Sequence, residues 1–459
     1  MIYSLRGGFL IRPLSVALVL GCIGALLSET EEAFPAINAW VPRTLFPSHA
    51  DPQVAQVILG GIATSIMTVV SIVFAILLMT LTLASMQFSP RIIVSFSRDR
   101  VTQWTLGIFL GTFSYCMAAL PAARSVPYPF APVATVLGAM VLAISCVALL
   151  LFFIHHISHA ISVNFIVDRI AVETEAVIDE IMPRPHRVRR PGMVGPDQLD
   201  PGEAVIRCPV SGYIRFIDTK RLAELARTCR VRVKVLRRVG HFVPEGLPLL
   251  LVSKPLKLSP DRIAALLRAF DLGPARTLQQ DIEFGVLQIV DIALKAISPA
   301  VNDPTTAINC VDQLSRILIR FSSRDQPAPM LYDPPGVARV DIPWIGFPKL
   351  LASAFEQIRF YAKADISVSL RLLRASGDIA ACTRDPGYRE ALGEFGSRVV
   401  AGCDGHMDER GMAELRRRLA QVEKIIARPP ETEDTHPGGA GPSSPPIPEP
   451  PEDDEQTDY

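Results

Sequence analysis

The length, composition and charge of this chain exclude an ordinary soluble protein. Its 459 residues are 49% hydrophobic and have a positive mean hydropathy of +0.29, so at least one membrane region is expected. The 46 basic and 46 acidic residues balance to zero, but residues 428–459 hold nine acids, nine prolines and a single arginine. That composition predicts a disordered acidic tail on a chain that is otherwise basic.

Apolar stretches long enough to cross a bilayer occur in the first third of the chain. A spanning helix needs about 20 predominantly apolar residues. The stretches that meet this condition are residues 9–27, 58–84, 101–120 and 133–154. Arg12 and Pro13 interrupt the first stretch, whose unbroken run is only as long as that of a signal peptide. We therefore predict a transmembrane domain of four helices over residues 1–154 and leave open whether the first is cleaved.

The charges of the connecting loops predict the orientation in the membrane. The loop after the first stretch is mainly acidic, and the loop after the second carries Arg91, Arg98 and Arg100 against Asp99. Positively charged loops favour the cytoplasmic side. The predicted location is the inner membrane, in a multi-pass arrangement with both termini and everything after residue 154 in the cytoplasm.

Small and polar residues inside the predicted spans favour helix packing. Gly107 and Gly111 form a G-x-x-x-G motif, and Thr64, Thr68 and Ser71 form a hydroxyl stripe on one face of the second span. The stripe could also line a water-filled pore. No Asp, Glu, Lys or Arg lies in the central turns of the predicted spans, which counts against an ion-coupled transporter.

A helical stalk is predicted after the fourth span, over residues 155–182. Its apolar and small residues recur in steps of four and three, which keeps one seam along the helix. The seam comprises Val163, Val167, Ile170, Thr174, Val177 and Ile181. Its partner is either a second copy of the chain, which would make a homo-oligomer, or the rest of the same chain.

The histidines at the start of the stalk raise the question of a metal. His155 and His159 are one helical turn apart and could hold one ion. A catalytic zinc needs a third ligand and an open position, and the sequence has no H-E-x-x-H motif. We therefore predict no cofactor, expect the histidines to cap the fourth span, and keep His155 and His159 as candidate metal ligands.

Strand patterns begin after a basic linker over residues 183–203. In "RVRVKV", Val231, Val233 and Val235 alternate with basic residues, which is typical of a half-buried strand. We expect the basic side chains to form the solvent-exposed face of this strand.

Residues 204–256 resemble a known small β fold. The pair "CPVSGYIRFI" and "RRVGHFVPEGLPLLLV" is similar to the barrel-sandwich halves of biotinyl and lipoyl domains, with Gly212, Gly240 and Gly246 at the turns. Those domains carry a modified lysine in a tight hairpin, which this chain lacks. The resemblance implies the shape and not the carrier function.

Helical patterns return at residue 257 and enclose "SPAVNDPTTA", residues 298–307. Asp303 followed by Pro304 has the form of a helix N-cap with proline in the first turn. Capping needs no ligand, but it does not explain Asn302 or the polar "RTLQQD" before the preceding helix. The candidate binding residues are therefore Asn302, Asp303, Thr305, Thr306, Gln280 and Asp281.

Three segments carry a family resemblance. They are "SMQFSPRIIVSFSRDRVTQWTLGIFLGTFSYCMAAL", "FIHHISHAISVNFIVDRI" and "LSPDRIAALLRAFDLGPARTLQQDIEFGVLQIVDIALKAISPAVNDPTTAINCVDQL". They resemble the hallmark segments of DUF2254, a family of predicted bacterial membrane proteins. The resemblance implies a four-span inner-membrane protein of unassigned activity.

The predicted fold is membrane α-helical, with four transmembrane helices and a cytoplasmic α+β region. In that region a small β barrel-sandwich-like domain precedes a helical domain over residues 257–427 and the tail over residues 428–459. The sequence has no nucleophile elbow, phosphate loop or paired catalytic carboxylates, which disfavours an enzyme.

The predicted function is a cytoplasmic sensing or binding domain coupled to the membrane helices, in a protein related to channels or transporters. The alternatives are a membrane scaffold or assembly partner and, less favoured, a metal-dependent membrane enzyme. The lipid bilayer is the expected partner, and nucleic acid is not.

Overall fold

The computed structural model describes residues 11–34, 51–87, 100–125, 128–160, 162–183, 203–254, 258–333 and 336–428. Within its helices, the side chains of residues 80, 81, 83–87 and 158–160 are outside the description. Nearly all of the predicted linker and the predicted tail after residue 428 also lie outside it.

Four helices among the described residues are long and apolar enough to cross a membrane. They are α1 (Ile11–Ala33), α2 (Pro52–Gln87), α3 (Arg100–Ala119) and α4 (Val133–Ala160). The four predicted apolar helices are therefore confirmed, and α1, α2 and α4 are longer than predicted. The 36 residues of α2 make about 54 Å of helix, which exceeds the ~30 Å hydrocarbon core and requires tilt or extension beyond it.

Helix α1 packs closely along α3 through glycines on both helices. Gly107 faces Val16 of α1, and Gly111 faces Leu20. From the other side, a Cβ on Gly24 would lie 2.6 Å from the carbonyl oxygen of Tyr115. The prediction that the G-x-x-x-G motif packs helices is confirmed, and α1 is an integral part of the bundle.

The predicted stalk is not one continuation of the fourth span. Helix α4 ends at Ala160, and α5 (Val163–Ile181) begins after two residues. Ser162 is extended, with φ −61° and ψ 125°, which interrupts the helical hydrogen bonding. The two segments are therefore separate helices joined by a short break.

A unit of packed helices follows, and α5 is part of it. One core joins α5 to the later helices and contains Phe321, Phe347, Phe355 and Phe395. These later helices are α8 (Ile282–Ala296), α9 (Pro304–Ser322), α10 (Phe347–Tyr361), α11 (Ile366–Cys382), α12 (Pro386–Cys403) and α13 (Glu409–Ala427). The seam of α5 is buried against α8 and α9 of the same chain. A homo-oligomer stays a prediction, but this seam is not free to form it.

Aspartates begin most helices of this unit. A side-chain oxygen of each accepts a hydrogen bond from a backbone N–H in the first turn, which satisfies a group without a helical partner. The capping residues are Asp281, Asp303, Asp365, Asp385 and Asp408.

The β unit contains two sheets around a second core. One sheet has the order β1 (Ala204–Arg207), β5 (Pro248–Val252), β3 (Val233–Val235), β8 (Val337–Asp341), β7 (Met330–Asp333). The other has the order β4 (Phe242–Val243), β2 (Gly212–Ile217), β6 (Phe270–Gly273). Helices α6 (Thr219–Cys229) and α7 (Pro260–Leu267) pack with these sheets.

Two predictions about this unit have different outcomes. Val231, Val233 and Val235 are buried as the alternation predicts. Strands β6, β7 and β8 follow residue 257, however, so the β unit takes in segments that were predicted to belong to the helical domain. The barrel-sandwich resemblance stays a prediction.

Contacts between α5 and α9 fix the direction of the helical unit. Near the start of both helices, Nδ2 of Asn309 donates a hydrogen bond to Oδ1 of Asn164 (2.7 Å). Near their ends, Arg320 and Arg324 both pair with Asp179. The helices are parallel, and α9 begins beside the start of α5. We call this end of the helical unit, next to the end of α4, the membrane-side end, and the opposite end the far end.

Candidate functional site at the junction of the β and helical units

The predicted binding residues lie at opposite ends of α8. Gln280 and Asp281 precede its first residue at the far end, whereas Asn302 and Asp303 follow the turn after its last residue at the membrane-side end. The 15 residues of α8 make about 22 Å of helix between the two groups. The structure therefore does not bring these residues together into one site.

The local backbone explains the group at the membrane-side end. Oδ1 of Asp303 accepts a hydrogen bond from the N–H of Thr306 (3.1 Å), and hydrogen bonds from Thr306 lower the pKa of Asp303. Asn302 has φ 48°, in the left-handed region that asparagine tolerates better than most residues. Thr305 is exposed in the first turn. A binding role for this group stays a prediction.

Gln280 and Asp281 connect the helical unit to the β unit. Oε1 of Gln280 accepts from the N–H of Ile217 at the end of β2 (2.9 Å), and its Nε2 donates to the carbonyl of the same residue (3.4 Å). Asp281 caps α8 through the N–H of Phe284 (3.1 Å). Its carboxylate also accepts two hydrogen bonds from Arg276, at 2.7 and 2.8 Å, in a bidentate pair.

A second buried carboxylate extends this pair into a network. Oε2 of Glu283 accepts from Arg238 (2.9 Å) and Arg276 (3.2 Å), and its Oε1 accepts from the hydroxyl of Ser353 (2.8 Å). With Asp281 the network holds two positive and two negative charges. Buried charges are stable only when they are paired and hydrogen-bonded, so removing one partner is costly. We call Arg238, Arg276, Asp281, Glu283 and Ser353 the junction network.

Sequence reasoning missed most of this network. Arg238 lies in the β unit and Ser353 in α10, and neither belongs to a recognisable motif. One signal was present: Glu283 lies in "IEFGVLQIV", where apolar residues surround an acid in the first turn of α8.

The charges of the network also set its response to acid. Burial raises the pKa of Glu283, but the hydrogen bond from Ser353 and the charge of Arg238 outweigh it, so the net shift is downward. Burial and the charge of Arg238 lower the pKa of the neighbouring His241. Acidification would therefore remove a negative charge from the junction and add a positive one.

The turn between β3 and β4 approaches this network closely. Gly240 has φ 87°, and a Cβ there would overlap Asp281 and lie 2.7 Å from Nη2 of Arg276. Glycine is required at this position for its backbone conformation and for the space.

A small cavity of about 30 Å³ adjoins the junction network. Its lining includes Ile181, the last residue of α5, together with Ile217 and Trp344. The indole N–H of Trp344 is buried and has no hydrogen-bond partner among the described residues. A cavity of this size holds about one or two waters. The far end of α5 thus reaches the place where the two units meet.

The fold and this junction can be compared with known proteins. Residues 6–378, from the membrane helices to most of α11, match the model of a family described as "Predicted membrane protein (DUF2254)". The chain belongs to the DUF2254 family. Uncharacterised proteins of Mycobacterium tuberculosis and Mycobacterium bovis are each 31% identical to it over 434 residues, covering 93% of this chain and 82% of the relative. No solved structure matches it significantly.

In this DUF2254 protein the hydroxyl stripe of α2 faces outward. The hydroxyls of Thr64, Thr68 and Ser71 each donate to the carbonyl four residues earlier, at 2.9 to 3.1 Å. The stripe lines an open groove of about 450 Å³ between α2 and α3, with Phe113 and Met117 on its other side. Within one copy the stripe neither packs against another described helix nor encloses a pore.

The histidine pair of this DUF2254 protein lies on the last turns of α4. His155 is exposed, and His156 stacks on Phe152 with ring centroids 6.3 Å apart. The side chain of His159 lies outside the described residues. Within the described part of the chain, no group of three His, Cys, Asp or Glu residues could hold a metal ion. Metal binding at His155 and His159 stays a hypothesis.

Proposed function

We propose that this chain is a non-enzymatic inner-membrane protein in which a cytoplasmic C-terminal region senses or binds a ligand and transmits the event to the membrane helices. The transmitted event alters flux across the membrane. The observation that carries the proposal is the path of α5, which begins two residues after α4 and ends at the junction cavity.

Helix α5 is suited to transmit a displacement. Its 19 residues make about 28 Å of helix between the membrane-side end and the junction. Arg316 joins it to α9 through Asp168 (2.9 Å) and Glu175 (2.6 Å), so the two helices should move together.

Helix α5 also packs closely against α8. A Cβ on Gly285 would overlap the hydroxyl of Thr174, which lies in the middle of the buried face of α5. A close-packed contact passes on small shifts because it cannot absorb them. A change at the start of α8 is therefore expected to move α5.

Such a change begins at the junction network. Its charges are balanced only while Arg238, Arg276, Asp281 and Glu283 keep their partners. A ligand or proton that competes for one partner alters the free energy of the others. The junction network and α5 together therefore favour a sensing protein over a fixed scaffold.

Flux through the full-length protein in liposomes tests the proposal. Purified chain should pass ions or small solutes, and a thermal-shift screen of nucleotides, amino acids, carboxylates and sugars should yield a ligand that alters this flux. The coupling variant is Gly285→Ala, and the matched control is Gly393→Ala in α12, where a Cβ meets Ile426 at an ordinary 3.4 Å. We expect Gly285→Ala to weaken the effect of the ligand on flux while Gly393→Ala does not.

The scaffold alternative makes a different prediction. A scaffold would show no flux and no ligand-dependent change, and its function would depend on other proteins. Absence of flux together with unchanged hydrogen exchange in residues 133–181 after every screened ligand would therefore reject the proposal in favour of a scaffold.

A further inference from the structure

Several helix ends of the helical unit meet at the membrane-side end. The turn between α8 and α9, residues 297–303, lies there because α9 begins beside the start of α5. The rings of Phe347 and Phe321 are 6.3 Å apart at the far end, so α10 begins at the far end and runs toward the membrane side. The turn between α10 and α11, residues 362–365, therefore lies at the membrane-side end as well.

Contacts of α11 agree with this arrangement. Arg371, in the second turn of α11, pairs with Asp312 in the first half of α9. Ser369 lies beside Cys403 at the end of α12 (3.5 Å between Oγ and Sγ). The α8–α9 turn and the α10–α11 turn thus both lie at the membrane-side end of the helical unit.

These two turns carry exposed apolar and aromatic side chains. Val301 is 52% exposed, Phe360 56% and Tyr361 65%. Among the described residues of the helical unit, the exposed large apolar side chains all lie near the membrane-side end, with the exception of Val172 in the middle of α5. They are Phe165, Val301, Phe360, Tyr361 and Ile366.

Basic residues accompany the aromatic ones. Nζ of Lys363 lies 5.7 Å from the ring centroid of Phe360, and Lys295 occupies the last turn of α8. Aromatic rings beside lysines are typical of surfaces that enter the headgroup region of a bilayer, where the ring body is buried and the cation meets phosphate.

Chain connectivity brings this surface close to the bilayer. The membrane-spanning part of α4 ends at Ile157, and α5 begins at Val163. Six residues span at most about 20 Å, and less where they are helical. The membrane-side end of the helical unit must therefore lie near the membrane surface.

We propose that the α8–α9 turn and the α10–α11 turn dock into the headgroup region of the membrane in which α1–α4 are embedded. The contact is made by Val301, Phe360, Tyr361 and Ile366, with Lys295 and Lys363 at its edge. This contact anchors the helical unit to the membrane at a second place, in addition to its covalent link to α4. The proposal does not depend on the proposed function, nor on which side of the membrane the helical unit lies.

A third turn at the same end limits the extent of the contact. Residues 404–408, between α12 and α13, include the exposed Asp404 and Asp408, and Glu409 follows them. Exposed acidic side chains are repelled by anionic lipid. The acids of the two docking turns, Asp303 and Asp365, are half-buried helix caps, whereas Asp404 and Asp408 are exposed. We therefore place this turn outside the contact, which ends at Ile366: the Cδ1 of Ile366 lies 3.2 Å from the position of a Cβ on Gly411, in the first turn of α13.

Spin labels on the full-length protein test the docking. The background is Cys22→Ser with Cys382→Ser, because these are the exposed cysteines and the other six are buried. Labels are placed by Val301→Cys and by Tyr361→Cys. The control is Val210→Cys, which is similarly exposed at 51% but lies in the β unit beyond the far end.

Collision rates in phosphatidylethanolamine–phosphatidylglycerol liposomes give the readout. We expect the ratio of accessibility to oxygen over accessibility to a water-soluble nickel chelate to be several-fold higher at 301 and 361 than at 210. Equal ratios at the three positions would overturn the proposal. Labels at 301 and 361 that are shielded from both reagents would overturn it too, because they would show a protein segment or a second copy on this surface. Unchanged melting temperatures establish that the labelled chains are folded.

Discussion

Glu31 of α1 caps the beginning of α4 through Thr135. Its Oε2 accepts hydrogen bonds from the N–H (3.1 Å) and the hydroxyl (2.9 Å) of Thr135, and its Oε1 accepts from the N–H of Ala134 (2.9 Å). The glutamate is fully buried at the end of the span. A negative charge at a helix N-terminus meets the unpaired N–H groups and the positive end of the helix dipole.

This contact predicts that Glu31→Ala destabilises the membrane bundle. It leaves buried N–H groups of α4 without a partner, at a cost of about 1–3 kcal/mol. The matched control is Glu29→Ala, which removes an exposed glutamate two residues earlier. Thermal unfolding in detergent measures both, and an equal melting temperature for the two variants would contradict the capping role.

Gly24→Ala is predicted to disrupt the packing of α1 on α3. The new Cβ would lie 2.6 Å from the carbonyl oxygen of Tyr115, and a backbone atom cannot move aside as a side chain can. Gly61→Ala is the control, because no atom lies within 4 Å of a Cβ there. We expect a clear loss of thermal stability for Gly24→Ala and none for Gly61→Ala. Equal stability would mean that α1 does not pack as described.

Substitutions in the turn before α9 distinguish helix capping from ligand binding. Asp303→Ala should cost about 1 kcal/mol, and Asp303→Ser should recover most of it because a hydroxyl accepts the same N–H. Asn302→Ala should also cost about 1 kcal/mol because of φ 48°, whereas Asn302→Gly should be tolerated. Chemical denaturation measures all four. A stable Asp303→Ser chain that has lost a ligand response would point to binding instead.

Acid is predicted to weaken the junction. The folded-state pKa of His241 lies below its ordinary 6.5, so the unfolded chain takes up a proton first and stability falls as the pH drops below 6.5. The folded-state pKa of Glu283 lies below its ordinary 4.5, so its contribution is present above pH 4.5 and is lost as the pH falls through the folded value.

Two variants divide this pH dependence. His241→Gln should remove the loss of stability that begins near pH 6.5, whereas the loss of stability below pH 4.5 should remain. Glu283→Gln should remove the lower part and cost about 3 kcal/mol at neutral pH, because it leaves Arg238 and Arg276 with less negative charge. Chemical denaturation between pH 3 and 8 measures the free energy of unfolding of each variant. Asp378→Asn is the control, because it removes the exposed Arg374–Asp378 ion pair, which lies outside the junction. A wild-type profile that is flat below pH 6.5 would contradict the assignment.

The orientation in the membrane rests on loop charge and is open to direct labelling. In a background without exposed cysteines, a membrane-impermeant thiol reagent added to intact cells should reach Ser48→Cys and not Ser97→Cys. Detergent permeabilisation should make both accessible. Labelling of Ser97→Cys alone in intact cells would reverse the orientation.

The sequence alone determined the features that depend on neighbours along the chain. The four spans follow from long, predominantly apolar runs, and the cap at Asp303 with Pro304 follows from the chemistry of a single helical turn. The glycines of "LGIFLG" indicated close helix packing because only small side chains allow it. The sequence could not name α1 as the partner, because nothing local encodes which helix lies opposite.

Tertiary structure decided everything that joins distant residues. The seam of α5 is covered by α8 and α9, and Arg316 reaches Glu175 across 141 positions of the chain. The junction network joins Arg238 to Glu283 and Ser353, from three elements that share no motif. Gln280 and Asn302, grouped by their polarity in the sequence, lie at opposite ends of α8. Periodicity reveals that a face will be buried, but the choice among several apolar faces depends on how all of them pack at once, which no short segment specifies.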